Sequence, residues 1–186
     1  MAHDEKPAPT DKKLDELYGL IDGIQVAMFT TRRADGQLVS RPMQVQGHTP
    51  AAGADLWFVT DIETHKLDEL QSDPHVNVSF YRDRTREWVS VSGRARIDRD
   101  RARIRELYKA DWRAWFTDAG GERNGGPDDP RITLIAVDAD SVVYMVNNTP
   151  KPLVLFEIAR GIVTGERPRV GSTHSLTGDE MNRGAA

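Results

Sequence analysis

The 186-residue chain has no cysteine. That excludes disulfides, thiolate catalysis and cysteine-ligated zinc or iron–sulfur sites. It also fits a reducing compartment, and a cytoplasmic location is the expectation. Long apolar runs are missing as well, so no membrane-spanning segment is predicted. The N-terminal residues Met1-Ala2-His3-Asp4-Glu5-Lys6 are polar and lack the apolar core of a signal peptide. There is no basic excess: 25 Lys and Arg stand against 29 Asp and Glu, giving a net charge of −4 and a pI near 5.7. Nucleic acid is therefore not an expected partner, because its general binders are usually basic. The 5 histidines show no HxxxH or HExxH spacing, and no metal site is predicted. GxSxG, P-loop and GxGxxG motifs are absent, which leaves serine-hydrolase, nucleotidase and Rossmann readings without support. The pairs Asp68-Glu69 and Asp128-Asp129 read most simply as solvated charges.

What is present suffices for one domain with a hydrophobic core: 38% of the residues are hydrophobic and 29% charged. Residues 1–9 are polar and carry two prolines, which predicts a loose tail. Thr10 or Asp11 can cap a helix with apolar positions Leu14, Leu17, Leu20 and Ile21, ending at Gly23. Strand-like runs follow at Ile24–Thr31 and Leu38–Val45, joined by a tight turn at Asp35-Gly36. Pro42 places its position at an edge or a bulge. Further strands are predicted at Asp55–Thr60, Val76–Tyr81 and Trp88–Ile97, the last with a bulge at Gly93. A short helix is expected over Thr64–Gln71. A long helical stretch begins after Asp98 or Asp100, with Ile104, Leu107, Tyr108 and Trp112 at helical spacing. Asp118–Pro130 is a loop rich in Gly, Pro and Asp. Ile132–Val137 and Ser141–Val146 read as a strand pair turning at Asp138-Ala139-Asp140. Pro152 opens a mostly apolar helix that continues over Leu153–Thr164. From Glu166 to Ala186 a weakly ordered tail is expected. About six or seven short strands with inserted helices make an α+β domain over 10–165, built on an antiparallel barrel. So much apolar and aromatic surface for a small barrel suggests a second copy covering its outer face.

One segment concentrates chemistry. In Leu56-Trp57-Phe58-Val59-Thr60-Asp61-Ile62-Glu63-Thr64-His65-Lys66-Leu67 an apolar strand runs into a short turn that opens a helix. A helix N-terminus presents free backbone N–H groups that attract an anion such as phosphate. Lys66 and the hydroxyls of Thr60 and Thr64 add donors at the same place. The bland alternative is that Thr64 only caps the helix and Lys66 is only solvated. Arg41, in Ser40-Arg41-Pro42-Met43, could reach the same anion, since a guanidinium forks well onto phosphate. Equally, it could be a barrel arginine paired with a carboxylate. Trp112-Arg113-Ala114-Trp115-Phe116 holds three aromatics in five residues. Core packing or a dimer contact is their simplest role; the sharper one is lining the edge of a flat ring ligand.

In their order and spacing these segments resemble the general stress proteins of the pyridoxamine-phosphate-oxidase-like class, from about Leu14 to Gly165. The resemblance implies a split β-barrel, Greek-key-like, of mostly antiparallel strands with flanking helices. It also implies a homodimer with FMN at the subunit interface. Carried onto this sequence, Arg41, Thr60, Thr64, His65 and Lys66 would hold the phosphate, with Met43 in the same strand as Arg41. Backbone groups around Phe58 and Val59 would face the isoalloxazine, and Trp112 and Trp115 would supply aromatic contacts near the ring. The flavin could be FAD instead, and a small-molecule reductant such as a reduced nicotinamide would feed it. No residue is assigned as catalytic. Family members often carry tryptophan where this chain has Tyr144-Met145. Nor does the chain end in the arginine-and-proline segment that binds substrate in the true oxidases, so the vitamin-forming reaction is not implied. A flavin-binding or flavin-sensing module without turnover is the alternative.

Overall fold

A computed structural model describes residues 9–48, 53–147, 151–165 and 171–183. The expected loose tail over 1–9 lies outside these residues, apart from Pro9. Helix α1 spans Thr10–Ile24 and buries Leu14, Leu17, Leu20 and Ile21. It runs past Gly23, and the left-handed residue that ends it is Gln25, at φ 65°. Gly23 has another use. A side chain there would collide with the Arg82 guanidinium.

Strands β1 (Val26–Arg32), β2 (Leu38–Gly47) and β3 (Leu56–Asp61) form a meander, and β4 (His75–Arg82) returns to pair with β1. The order β3-β2-β1-β4 is a Greek key. Strand β5 (Glu87–Asp98) follows β4, and β6 (Ile132–Val146) pairs with both β5 and β3, closing a six-stranded antiparallel barrel. The α+β split-barrel expectation therefore holds.

The strand pair expected at 132–137 and 141–146 is instead one strand of 15 residues. Its first half pairs with β3 and its second half with a seventh strand, β7 (Ser172–Thr177). Asp138-Ala139-Asp140 is the point where the partner changes. Ser92 faces Ser141 and Gly93 faces Ala139, so Asp140 is the extra residue of a bulge rather than part of a turn. Buried Asp55 accepts the Ala139 N–H at 2.7 Å, capturing a donor that the disrupted ladder releases. Gly93 is needed opposite it, because a Cβ would collide with the Asp138 carbonyl. Weak order was expected beyond Glu166. Instead β7 adds to β6, and α5 (Gly178–Arg183) buries Met181. Edge pairing along β6 supplies the order that the polar composition of this segment does not.

The barrel interior is one apolar cluster. Phe29 meets Phe58 edge-on at 5.1 Å, and Leu67 and Leu70 of α2 (His65–Ser72) pack into the same cluster. Tyr144 is fully buried, and its hydroxyl donates to the Lys13 carbonyl at 3.0 Å, tying β6 to α1. A second cluster lies outside the barrel wall around Trp57, Ile104, Trp112, Phe116, Ile132 and Leu134. The long helix expected there is broken. Helix α3 covers Arg101–Leu107, capped by Asp100 accepting from Ala102 N–H, and a separate 3₁₀ turn covers Ala110–Trp115. The break lets Tyr108 donate to the Gly125 carbonyl at 2.9 Å and stack edge-on with Trp112. Helix α4 (Lys151–Thr164) connects β6 to β7.

Candidate functional site

Alternation along β3 divides its side chains between the two clusters. Leu56 and Phe58 point into the barrel, and Trp57 and Val59 toward the outer cluster. Beyond the barrel end the chain turns through Asp61–Thr64 into α2. There a cavity of about 310 Å³ opens between β2, β3, the start of α2 and the 3₁₀ turn. Seven of the expected residues line it: Met43, Val59, Thr60, Thr64, Lys66, Trp112 and Trp115.

Thr64 is the N-cap residue of α2, but its hydroxyl makes no capping bond to the first turn. It donates to the Asp61 carbonyl at 2.8 Å and lies 3.3 Å from the Thr60 hydroxyl. In the first turn the Leu67 N–H donates to the Thr64 carbonyl at 3.1 Å instead. The Lys66 ammonium donates to Thr60 Oγ1 at 2.6 Å, so its hydrogen-bond partner here is a hydroxyl rather than a carboxylate. Burial lowers the Lys66 pKa, and the neighbouring Arg41 charge lowers it further, while Asp61 and Glu69 act weakly in the other direction. A partly buried cation that is uncomfortable with its own charge favours an incoming anion.

Three expected residues stand elsewhere. Arg41 does not line the cavity. It donates to Glu69 at 2.7 Å and to the Thr31 hydroxyl at 2.8 Å, and Thr31 donates in turn to Glu69 at 2.5 Å. Of the two readings open for Arg41, the carboxylate pair is the one formed. Glu69 is consequently no solvated charge; Thr31 and Arg41 hold its carboxyl below the usual range. The Phe58 side chain belongs to the barrel core, while the expectation for Phe58 concerned its backbone, which runs beside Val59. The His65 side chain is 99% exposed and faces an open groove with Arg33, Asp35 and Asp68 on the other side of α2.

The aromatic wall also differs from expectation. Trp112 and Trp115 do not share an environment: Trp112 is buried and donates to Gln46 Oε1 at 2.8 Å, whereas Trp115 stands 82% exposed at the rim. Phe116 lines the cavity beside them, with the Arg131 guanidinium over its ring at 5.7 Å. Arg131 makes a buried pair with Asp129 at 2.7 Å, and Asp129 also accepts from Gly125 N–H. Asp129 is therefore a buried anchor of the loop, not a solvated charge, and its arginine partner holds its carboxyl far below the ordinary range. Asp128 is exposed and pairs with Arg105.

Pro42, Gln44, Gln46, Asp61 and Asp111 line the cavity without having been expected there, while Phe116 belongs to the aromatic stretch that was. Gln44 and Gln46 share with Pro42 the face of β2 opposite Met43, and that alternation could have suggested them together. Among the described residues no group of three or more His, Asp or Glu could hold a metal ion, and no helix is long and apolar enough to cross a membrane.

Comparison with known proteins agrees with this architecture. Residues 12–169 match the family described as pyridoxamine 5'-phosphate oxidase like. Protein bli-3 of Neurospora crassa is 35% identical over 175 residues, which span 93% of this chain and 83% of that protein. A Clostridium acetobutylicum structure, of a protein related to general stress protein 26 of Bacillus subtilis, superposes with a TM-score of 0.65 at 18% identity, covering 92% of this chain and 98% of that one. The structure of a pyridoxamine 5'-phosphate oxidase-related, FMN-binding protein of Nostoc punctiforme superposes with a TM-score of 0.59 at 14% identity, covering 92% and 98%. With the closed barrel, these matches show that the chain belongs to the pyridoxamine 5'-phosphate oxidase-like family, among the relatives of its general stress proteins.

Proposed function

We propose that the chain is a cytoplasmic, FMN-binding general stress protein, working as a homodimer and as a flavin-dependent oxidoreductase. The observation that carries this reading is Lys66: its ammonium lines the cavity, partly desolvated, with only a hydroxyl as hydrogen-bond partner. A phosphate suits it, because a charge-assisted hydrogen bond to a dianion offsets the cost of burying the cation. The FMN-binding description of the Nostoc relative supports the choice of ligand.

In this reading Lys66 and the hydroxyls of Thr60 and Thr64 hold the phosphate. Met43, Val59 and Trp112 exclude water along the wall, Gln44 offers an amide for polar ring edges, and the Gln46 amide fixes Trp112. Trp115, exposed at the rim, is suited to being covered by a second copy. When bound, FMN supplies hydride or electron transfer between a reduced nicotinamide and an acceptor.

A second reading, a module that binds FMN or FAD without turnover, has its own support. The C-terminal segment folds onto the half of β6 distant from β3, and Lys13 of α1 pairs with Glu180 there at 3.7 Å. It thus packs away from the cavity. The test is a visible spectrum of the purified protein, followed by steady-state oxidation of reduced nicotinamide. A flavin spectrum with turnover well above free FMN supports the enzyme. A flavin spectrum with no excess turnover supports the binding module. A colourless protein that takes up no flavin contradicts both.

A further inference from the structure

A second cavity, of about 270 Å³, opens where the end of α1 meets the end of β2. Gln46 lines both this cavity and the one beside Lys66. Its amide is tied at both ends: Nε2 donates to the Gln44 carbonyl at 3.0 Å, and Oε1 accepts from Trp112 at 2.8 Å. One fixed side chain therefore forms part of the wall of each space.

The second cavity holds an oriented histidine. His48 Nε2 lies 2.7 Å from the Asp22 carboxylate, and the Tyr18 ring stacks on the imidazole at 4.5 Å with 13° between the planes. The imidazole is largely buried, while Asp22 is mostly exposed. With Asp22 on one ring nitrogen, the other has no hydrogen-bond partner among the described residues. A histidine held by a carboxylate is suited to meet an oxygen of a small molecule with that second nitrogen.

Two neighbours point the same way. Gln25 lines the cavity at φ 65° and ψ −39°. The negative ψ takes it off the left-handed well and toward a strained γ-turn, which residues with a side chain rarely adopt. Backbone strain of this kind gathers at ligand sites. Lys109, which precedes the 3₁₀ turn, brings an ammonium with no ion pair or hydrogen bond among the described residues. Asp22 and His48 engage each other, so the charge left uncommitted in the cavity is positive.

We propose that this cavity is a second small-molecule site, for a small carboxylic acid that carries an oxo or hydroxy group. Lys109 takes the carboxylate, and the second nitrogen of His48 takes the other oxygen. A single uncommitted ammonium suits a monoanion rather than a phosphate dianion. The role of the site, as the place of a second substrate across Gln46, rests on the flavin reading above; the site itself does not.

The test is a proton–nitrogen NMR titration of the full-length, flavin-stripped protein with pyruvate. Propionate serves as the analogue without the second oxygen, and inorganic phosphate as the competing anion. Saturable shifts are expected at the amides of Gln25, Gln46, His48 and Lys109, and at the Trp112 indole N–H through Gln46. Propionate is expected to bind at least tenfold more weakly than pyruvate. Lys109→Met and His48→Phe are each expected to weaken pyruvate binding at least tenfold, with amide shifts away from the cavity unchanged. Shifts confined to Thr60, Thr64 and Lys66 place the acid in the flavin cavity and overturn the second site. Equal affinity for propionate, tighter binding of phosphate, or no saturable shift also overturns the proposal. Because the titration uses no flavin, a chain that takes up no FMN overturns the flavin reading, while the pyruvate shifts still support this site.

Discussion

The Arg41 guanidinium lies 2.7 Å from the Glu69 carboxylate, and the Thr31 hydroxyl touches both. Glu69 sits one helical turn after Lys66 on α2, so one carboxylate neutralises the arginine beside the cavity while the lysine keeps only a hydroxyl. The Glu69 charge is felt at Lys66 and weakens the positive field at the proposed phosphate position. Glu69→Gln keeps the shape and removes that charge. It is expected to tighten FMN binding several-fold, whereas Arg41→Ala should not tighten it. Fluorescence titration of the two variants checks the order.

The depressed Lys66 pKa sets a pH dependence. Burial and Arg41 lower it in the free protein, and a bound phosphate would raise it again by favouring the ammonium. FMN affinity should then be flat while Lys66 is protonated in the free protein. It should fall as pH rises through the lowered pKa toward the ordinary lysine value, with about one proton taken up on binding in that window. The sign for folding is the reverse. In the same window the unfolded chain holds more protons at this site, so the flavin-free protein gains stability from Lys66 as pH rises. Calorimetric titration in buffers of different ionisation enthalpy measures the proton uptake, and Lys66→Met should abolish it.

Asp129 is an anchor for the aromatic wall. It is fully buried, it pairs with Arg131, and Arg131 covers Phe116. Asp129→Asn leaves a buried guanidinium without its counter-charge and is expected to cost about 3 kcal/mol or more in urea unfolding. Because the folded pKa is depressed, the contribution is present above the unfolded carboxyl value near 4 and is lost as pH falls below it. The gap between wild type and variant should therefore narrow in acid.

Gly93 tests the bulge. A Cβ there meets the Asp138 carbonyl, at the place where β6 changes partners and Asp55 takes the Ala139 N–H. Gly93→Ala should destabilise the protein by about 2 kcal/mol, as overpacking does. Gly120 has open space where its Cβ would stand, but its φ of 88° disfavours any side chain. Gly19, which has open space and lies within α1, is the better control, and Gly19→Ala should be neutral or stabilising. Thermal melts of the two variants separate the cases.

The strands of the barrel were legible because their alternation survives burial on one face, and β3 with the turn into α2 was legible because apolar and donor residues sit close in sequence. The sequence hid what depends on distant pairing. Asp138-Ala139-Asp140 has turn composition, yet β5 pairs with Asp138 and Ala139 and holds the segment in a strand. Ser172–Thr177 has no apolar pattern of its own and is ordered by β6. The partner of Arg41 comes from a helix 28 positions away, so neither the pair nor the role of Glu69 could be read locally. The break after Leu107 follows from Tyr108 bonding to a loop that helical spacing does not reveal.

The central claim is that the cavity beside Lys66 holds the phosphate of FMN. Fluorescence titration of flavin-stripped protein with FMN, for wild type and for Lys66→Met, tests it most directly. The account predicts saturable binding of one FMN per chain, weakened about 10- to 100-fold by the substitution, as expected for loss of one charged hydrogen bond. Equal affinity in the two proteins, or no saturable binding in wild type, would contradict it.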